Sequence, residues 1–182
     1  MEKKAISEVN AVAAIMDTCF SQVEEKWDVL WRPIHRIMRE AGQKVAKKEF
    51  ARFNFALAVL AVNTRSTFDL LPGDQAERLF VHLERMLERN LGGGAGYHAV
   101  RNSLVKFTEA YNNGVLHIRN PLVDVATLLY YKIGMQNTQQ FVVDESYYVP
   151  EPRLVDYLVR ALTMFIGKWD LLLERYQLKI PN

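Results

Sequence analysis

The chain has 182 residues, a net charge of +2 and 49% apolar residues, the size and composition of one globular domain with one sizeable core. The near balance of charge excludes a strongly basic nucleic-acid or membrane-surface binder, and the abundance of apolar and aromatic residues excludes long disordered tracts. Cys19 is the single cysteine, so no internal disulfide can form. Glu8 and Asp17 interrupt the only stretch that could imitate a signal peptide, which makes a reducing cytoplasm the expected location.

The chain reads as a succession of helices. From Val9, steps of 100° per residue keep Val12, Met16, Cys19, Phe20, Val23, Trp27, Leu30, Ile34, Ile37, Met38 and Ala41 on one side of a single helix. Ser7 opens it and Gly42 gives it a left-handed stop. Pro33 lies inside the pattern, removes one backbone hydrogen bond and predicts a kink near Val29, with two collinear helices as the alternative. The second helix, residues 47–70, contains "FALAVLAV", apolar for more than two turns and so without a polar face. Such a helix is buried in a core or in a membrane. Arg52, Asn54, Asn63 and Arg65 bound the run far short of the ~20 residues that cross a bilayer, which predicts a central core helix and no membrane span.

"LPGD" then turns the chain, and Asp74 with Glu77 three residues on has capping-box spacing. The helix that follows carries Leu79, Phe80, Leu83, Met86 and Leu87 on one face and ends at Gly92. "GGGAG" reads as a flexible link into a helix with Val100, Leu104, Phe107 and Tyr111, which stops at "NNG". Asn120 before Pro121 predicts a helix from Pro121 to Ile133, closed by Gly134. The last helix opens near Pro152, and its stripe runs through Leu154, Leu158, Leu162, Phe165, Trp169 and Leu172 to Tyr176. Residues 135–151 form a long connection for a compact domain, and "FVVDESYYV" could fold as a minor hairpin at 141–149. The expected fold is all-α: a single helical domain, 1–182, made of about six helices, with a long kinked N-terminal helix and a central buried helix at 47–70.

No motif in the chain carries chemistry. A di-iron bundle needs Glu-x-x-His on two helices, and no Glu here has a His three residues later; His35, His82, His98 and His117 are scattered without ligand-like spacing. There is no "GxSxG" elbow, and Cys19 at the edge of an apolar face reads as an inert thiol. Gly94, Gly96 and Ala99 imitate a dinucleotide loop, but a helix precedes them where a strand is required. No catalytic residue, cofactor or metal is therefore expected.

Three surfaces remain as candidates. Arg32, Arg36 and Arg39 share a narrow sector of the first helix, and Lys44, Lys47, Lys48 and Arg52 follow, seven basic residues against Glu40 and Glu49. The plain reading is the solvated face of an amphipathic helix. The sharper one is a stripe at Arg32, Arg36, Arg39, Lys47 and Lys48 for an acidic protein or, less favoured, nucleic acid. Phe141, Asp144, Glu145, Tyr147 and Tyr148 form a candidate interface loop, since tyrosines pair an apolar body with a polar tip. Trp27, Trp31, Asn63, Arg65, Phe68 and Trp169 are candidate walls of an apolar pocket beside the central helix, with Asp69 the expected partner of Arg65. The leading expectation is a soluble, non-enzymatic helical module that binds a protein partner, itself included, as a homo-oligomer. A small-molecule-binding bundle is the second, and nucleic-acid binding through the basic face is the third.

Overall fold

Ser7 sets the start of the longest element: its Oγ accepts the Asn10 amide at 3.3 Å, and helix α1 runs unbroken from Glu8–Glu40. We describe this computed structural model over residues 3–68, 71–134 and 150–179. Pro33 is accommodated inside α1, so the chain forms one long helix and not two collinear ones. Its end is a complete Schellman motif, with Gly42 at φ +67° and the amides of Gly42 and Gln43 donating to the carbonyls of Arg39 and Met38. The buried face follows the expected stripe, except that Val9 is exposed, Met16, Phe20 and Ala41 are half-buried, and Ala11 and Ile15 are buried.

Helix α2 spans Lys48–Phe68, and Phe55 through Thr64 are buried all round. The neighbours that wall it in are α1, α4 (Gly94–Leu116), α5 (Pro121–Ile133) and α7 (Lys168–Arg175). The Ala46 amide donates to the Ile133 carbonyl at 2.7 Å, which sets the start of α2 beside the end of α5. One continuous core takes side chains from every helix, and none of the described helices is long and apolar enough to cross a membrane.

Helix α3, Gly73–Leu91, corrects the expected capping box. Pro72 occupies the cap with no side-chain bond, and Asp74 instead binds Arg78 Nη1 at 2.9 Å from within the first turn. Arg78 is held there because it also grips Glu8, whose side chain is only 2% exposed, through Nε and Nη2 at 3.0 to 3.3 Å. Gln75 and His82 face the same carboxylate at 3.5 and 3.8 Å. The Arg78 hydrogen bonds hold the Glu8 carboxyl below the usual carboxylate range, against the burial that raises it.

The glycine link is shorter than the sequence suggests, because Gly94 already belongs to α4. That helix also runs past "NNG" to Leu116. Gly114 is no stop signal: a Cβ there would lie 2.3 Å from Pro121 Cα, so only glycine lets α4 and the start of α5 touch. Asn120 caps α5 as expected, accepting the Leu122 amide at 3.0 Å.

The last helix is two. Helix α6, Pro152–Thr163, ends at Met164, and α7 begins after Gly167 at φ +81°. The chain closes with strand β2, Tyr176–Lys179, parallel to β1, Lys4–Ser7, with Lys4 opposite Tyr176 and Ser7 opposite Lys179. Ile6 and Leu178 rest on the core, so this small sheet ties the two ends of the described chain together. The hairpin expected at 141–149 lies outside the described residues.

Candidate functional site

Asn63 explains the break between α6 and α7. From the buried C-terminal half of α2, its Nδ2 donates to the Phe165 carbonyl at 2.8 Å and its Oδ1 accepts the Lys168 amide at 2.9 Å. The side-chain amide thus replaces the helical partners that both backbone groups lose at the break. Two residues on, Arg65 Nε donates to Asn112 Oδ1 at 2.7 Å, while Asp69 lies outside the described residues. Of the other candidate wall residues, Trp27 and Trp31 stand apart from this point. Trp27 donates through Nε1 to the Lys48 carbonyl, at the opposite end of α2, and stacks on Trp31 with ring centroids 5.6 Å apart. Phe55 packs against Trp27 on one side and Phe165 on the other, so these rings form a column along the core. Trp169 is buried, and the side chain of Phe68 lies outside the described residues.

The basic stripe loses part of its charge to acids that precede it in sequence. Lys48 binds Asp28, Arg52 binds Glu24 at 2.7 Å, and Arg36 and Arg153 both approach Glu40. A cleft of about 260 Å³ between α1 and α2 is lined by Glu24, Glu25, Asp28, Lys48, Glu49 and Arg52, a mixed set rather than a cationic one. The Lys48 hydrogen bond keeps the Asp28 carboxyl below its usual range. Arg32, Arg39, Lys44 and Lys47 stay exposed, with no ion pair among the described residues. Phe141, Asp144, Glu145, Tyr147 and Tyr148 lie outside those residues.

A surface the sequence reading missed is the end of the bundle beyond Asn63 and Arg65. Asn63 pins the α6–α7 turn there, and Arg65 pins the last turns of α4 through Asn112. Six of the twelve exposed large apolar side chains among the described residues lie on these two turns: Val115, Leu116, Ile118, Val123, Met164 and Ile166. Ile118 is 96% exposed and sits at φ +53°, a conformation that a β-branched residue adopts only under strain. The charges on these turns carry both signs. Arg119 is held by Asp124 at 2.7 Å, and Lys168 and Asp170 share the first turn of α7. The available signal was "GVLHI" after the supposed stop at "NNG", an apolar run too long for a turn that faces only water.

Burial pushes the Cys19 thiol up to about 12, which leaves it a packing residue. Among the described residues, no three His, Cys, Asp or Glu side chains are grouped to hold a metal ion. Comparison with protein-family models, with curated proteins and with solved structures returns no match.

Proposed function

We propose that the chain is a non-enzymatic helical module that binds protein, and that a second copy of the chain docks on the end formed by the α4–α5 and α6–α7 turns. The observation that supports this reading is the strained and almost fully exposed Ile118 beside Leu116, which is 75% exposed. Apolar groups gathered at one place on a surface mark an interaction site, whereas scattered ones need no explanation. Strain of this kind persists where the surrounding structure enforces it and is typical of functional sites. The occupant is argued from the rim, where Arg119 and Asp124 on one turn and Lys168 and Asp170 on the other supply both signs. A two-fold interface requires a patch that complements itself, which a mixed rim does and a purely cationic one does not.

Sedimentation velocity at rising protein concentration tests the proposal. The expected result is a reversible dimer whose interface buries on the order of 1,000 Å² or more. Leu116→Ser combined with Ile118→Asn should leave a monomer. Asparagine suits the left-handed backbone at position 118, so folding stability should hold or rise by about 1 kcal/mol. A wild-type monomer at every concentration, or a dimer that the double variant does not weaken, overturns the reading.

A further inference from the structure

Helix α1 turns an apolar edge toward α3 that the core leaves half-covered. Met16 and Phe20, one turn apart on α1, and Phe53 on α2 pack against the core and stay partly open to solvent. The Phe20 and Phe53 rings lie tilted together with centroids 5.7 Å apart. With Leu87 and Leu91 from the last turns of α3 they line a cavity of about 280 Å³. Leu87 is buried, and Leu91 is exposed. A volume of this order is at the small end of ligand sites. Methionine and aromatic rings together give a wall that adapts to the shape of an apolar group.

Two features give this cavity a sign. Asp17 also lines it and is exposed, so a carboxylate stands at the mouth. Among the described lining residues Asp17 is the titratable one. The second feature is the end of α3, where Asn90 and Leu91 are the last two residues before the left-handed Gly92 at φ +71°. The final carbonyls of a helix carry its partial negative charge, and cations are favoured there. Asn90 lines the cavity as well, and its amide oxygen can accept a hydrogen bond from an ammonium. Arg89 shares that turn, but it is exposed and stands about 200° round the helix from Leu87. The faces of Phe20 and Phe53 add the attraction of an aromatic ring for a cation. Phe53 also lines a second cleft, toward α4 and α5, where Lys132 donates to Ser103 Oγ at 2.9 Å and lies 5.8 Å from the centroid of the Phe107 ring. A cation already stands on that side, so of the two clefts the one toward α1 and α3 suits a cationic ligand.

We propose that the cavity between α1, α2 and α3 binds a small amphipathic cation, a primary ammonium on an aryl-alkyl body. Asp17 and the carboxyl end of α3 hold the ammonium, and Met16, Phe20 and Phe53 hold the body. The site is independent of the docking end at Ile118. A hydrogen bond from an ammonium to Asp17 is charge-assisted at both partners and so among the stronger kinds.

Isothermal titration of the full chain with phenylpropylamine, phenylpropanol, phenylpropanoate and ethylamine tests the site, because three probes share one body and the last is little more than the head. Phenylpropylamine should bind saturably with a Kd of about 1 mM or lower. The alcohol, the carboxylate and ethylamine should each bind about tenfold more weakly or not at all, since each lacks half of the complementarity. Asp17→Asn should weaken the amine about tenfold and leave the alcohol unchanged, while the thermal midpoint holds, which separates lost binding from lost folding. Leu91→Arg places a guanidinium at the cavity edge and should also weaken the amine about tenfold. Absence of saturable binding by phenylpropylamine overturns the proposal. So does the alcohol or the carboxylate binding as tightly as the amine, or an amine affinity that either substitution leaves unchanged.

Discussion

Asn63, near the C-terminal end of α2, and Lys132, which faces the N-terminal half of that helix from α5, are both partly or wholly buried polar side chains, and they differ in how completely they are partnered. Asn63 is 1% exposed, and three hydrogen bonds satisfy it, to the carbonyls of Val59 and Phe165 and the amide of Lys168. Two of these partners, the Phe165 carbonyl and the Lys168 amide, are backbone groups orphaned where the last helix breaks, so the residue belongs to the architecture. Lys132 has one hydroxyl and one ring face for a full charge. Burial alone therefore does not decide how completely a polar group is partnered.

The contrast makes opposite predictions for stability. Asn63→Leu should have the largest effect, because it leaves the Phe165 carbonyl and the Lys168 amide without partners at the α6–α7 break. Urea denaturation should show a loss of about 3 to 4 kcal/mol. A loss under about 1 kcal/mol would mean that water replaces the amide and that Asn63 does not set the break.

Glu8 extends the comparison to a buried charge that is paired. Its folded-state pKa is depressed, chiefly by the Arg78 hydrogen bonds. The stability it contributes is therefore present above the unfolded carboxyl value of about 4.3 and is lost as pH falls through the folded value. Glu8→Gln should lower the thermal midpoint at pH 7 by about 5 °C. It should also flatten the decline in stability below about pH 4.3 relative to the wild type. A variant with the same acid limb as the wild type would remove Glu8 from the account of acid unfolding.

Lys132→Met should have the smallest effect and the opposite sign. Replacing a desolvated, incompletely paired ammonium with an apolar chain of similar length is expected to raise stability by about 1 kcal/mol. A destabilisation as large as that of Asn63→Leu would place Lys132 among the structural residues and erase the distinction drawn above.

Several features of the fold were legible because the groups that decide them lie within a few residues of one another. Ser7 and Asn10, Gly42 and Arg39, and Asn120 and Leu122 are cap contacts that close over two or three residues. The apolar run at Phe55 to Val62 identified a helix with no solvent face, and α2 is walled in by four others. The readings that failed concern the same residue types in other company. Gly114 had the look of a stop and is a point of helix contact. Asp74 had capping spacing, but the distant Glu8 organises Arg78, and Asp74 follows it. The basic stripe is a separate case, which these contacts leave open: Asp28 and Glu24 precede it in sequence and pair with Lys48 and Arg52 over 20 and 28 residues, beyond the reach of a local pattern.

Local hydrogen bonding and hydrophobic period, which the sequence by itself determined, account for the helices, the caps of α1 and α5 and the burial of α2. Only the tertiary structure decided that the last helix breaks, since the amide that replaces its lost bonds comes from Asn63, 102 residues before Phe165. It also decided that Lys4–Ser7 pairs with Tyr176–Lys179, because four-residue strands carry too little periodicity to announce themselves. The same holds for Lys132 and Ile118. A lysine without a carboxylate and an isoleucine without a cover among the described residues are defined by what fails to pack against them there, and that depends on every other helix in the bundle.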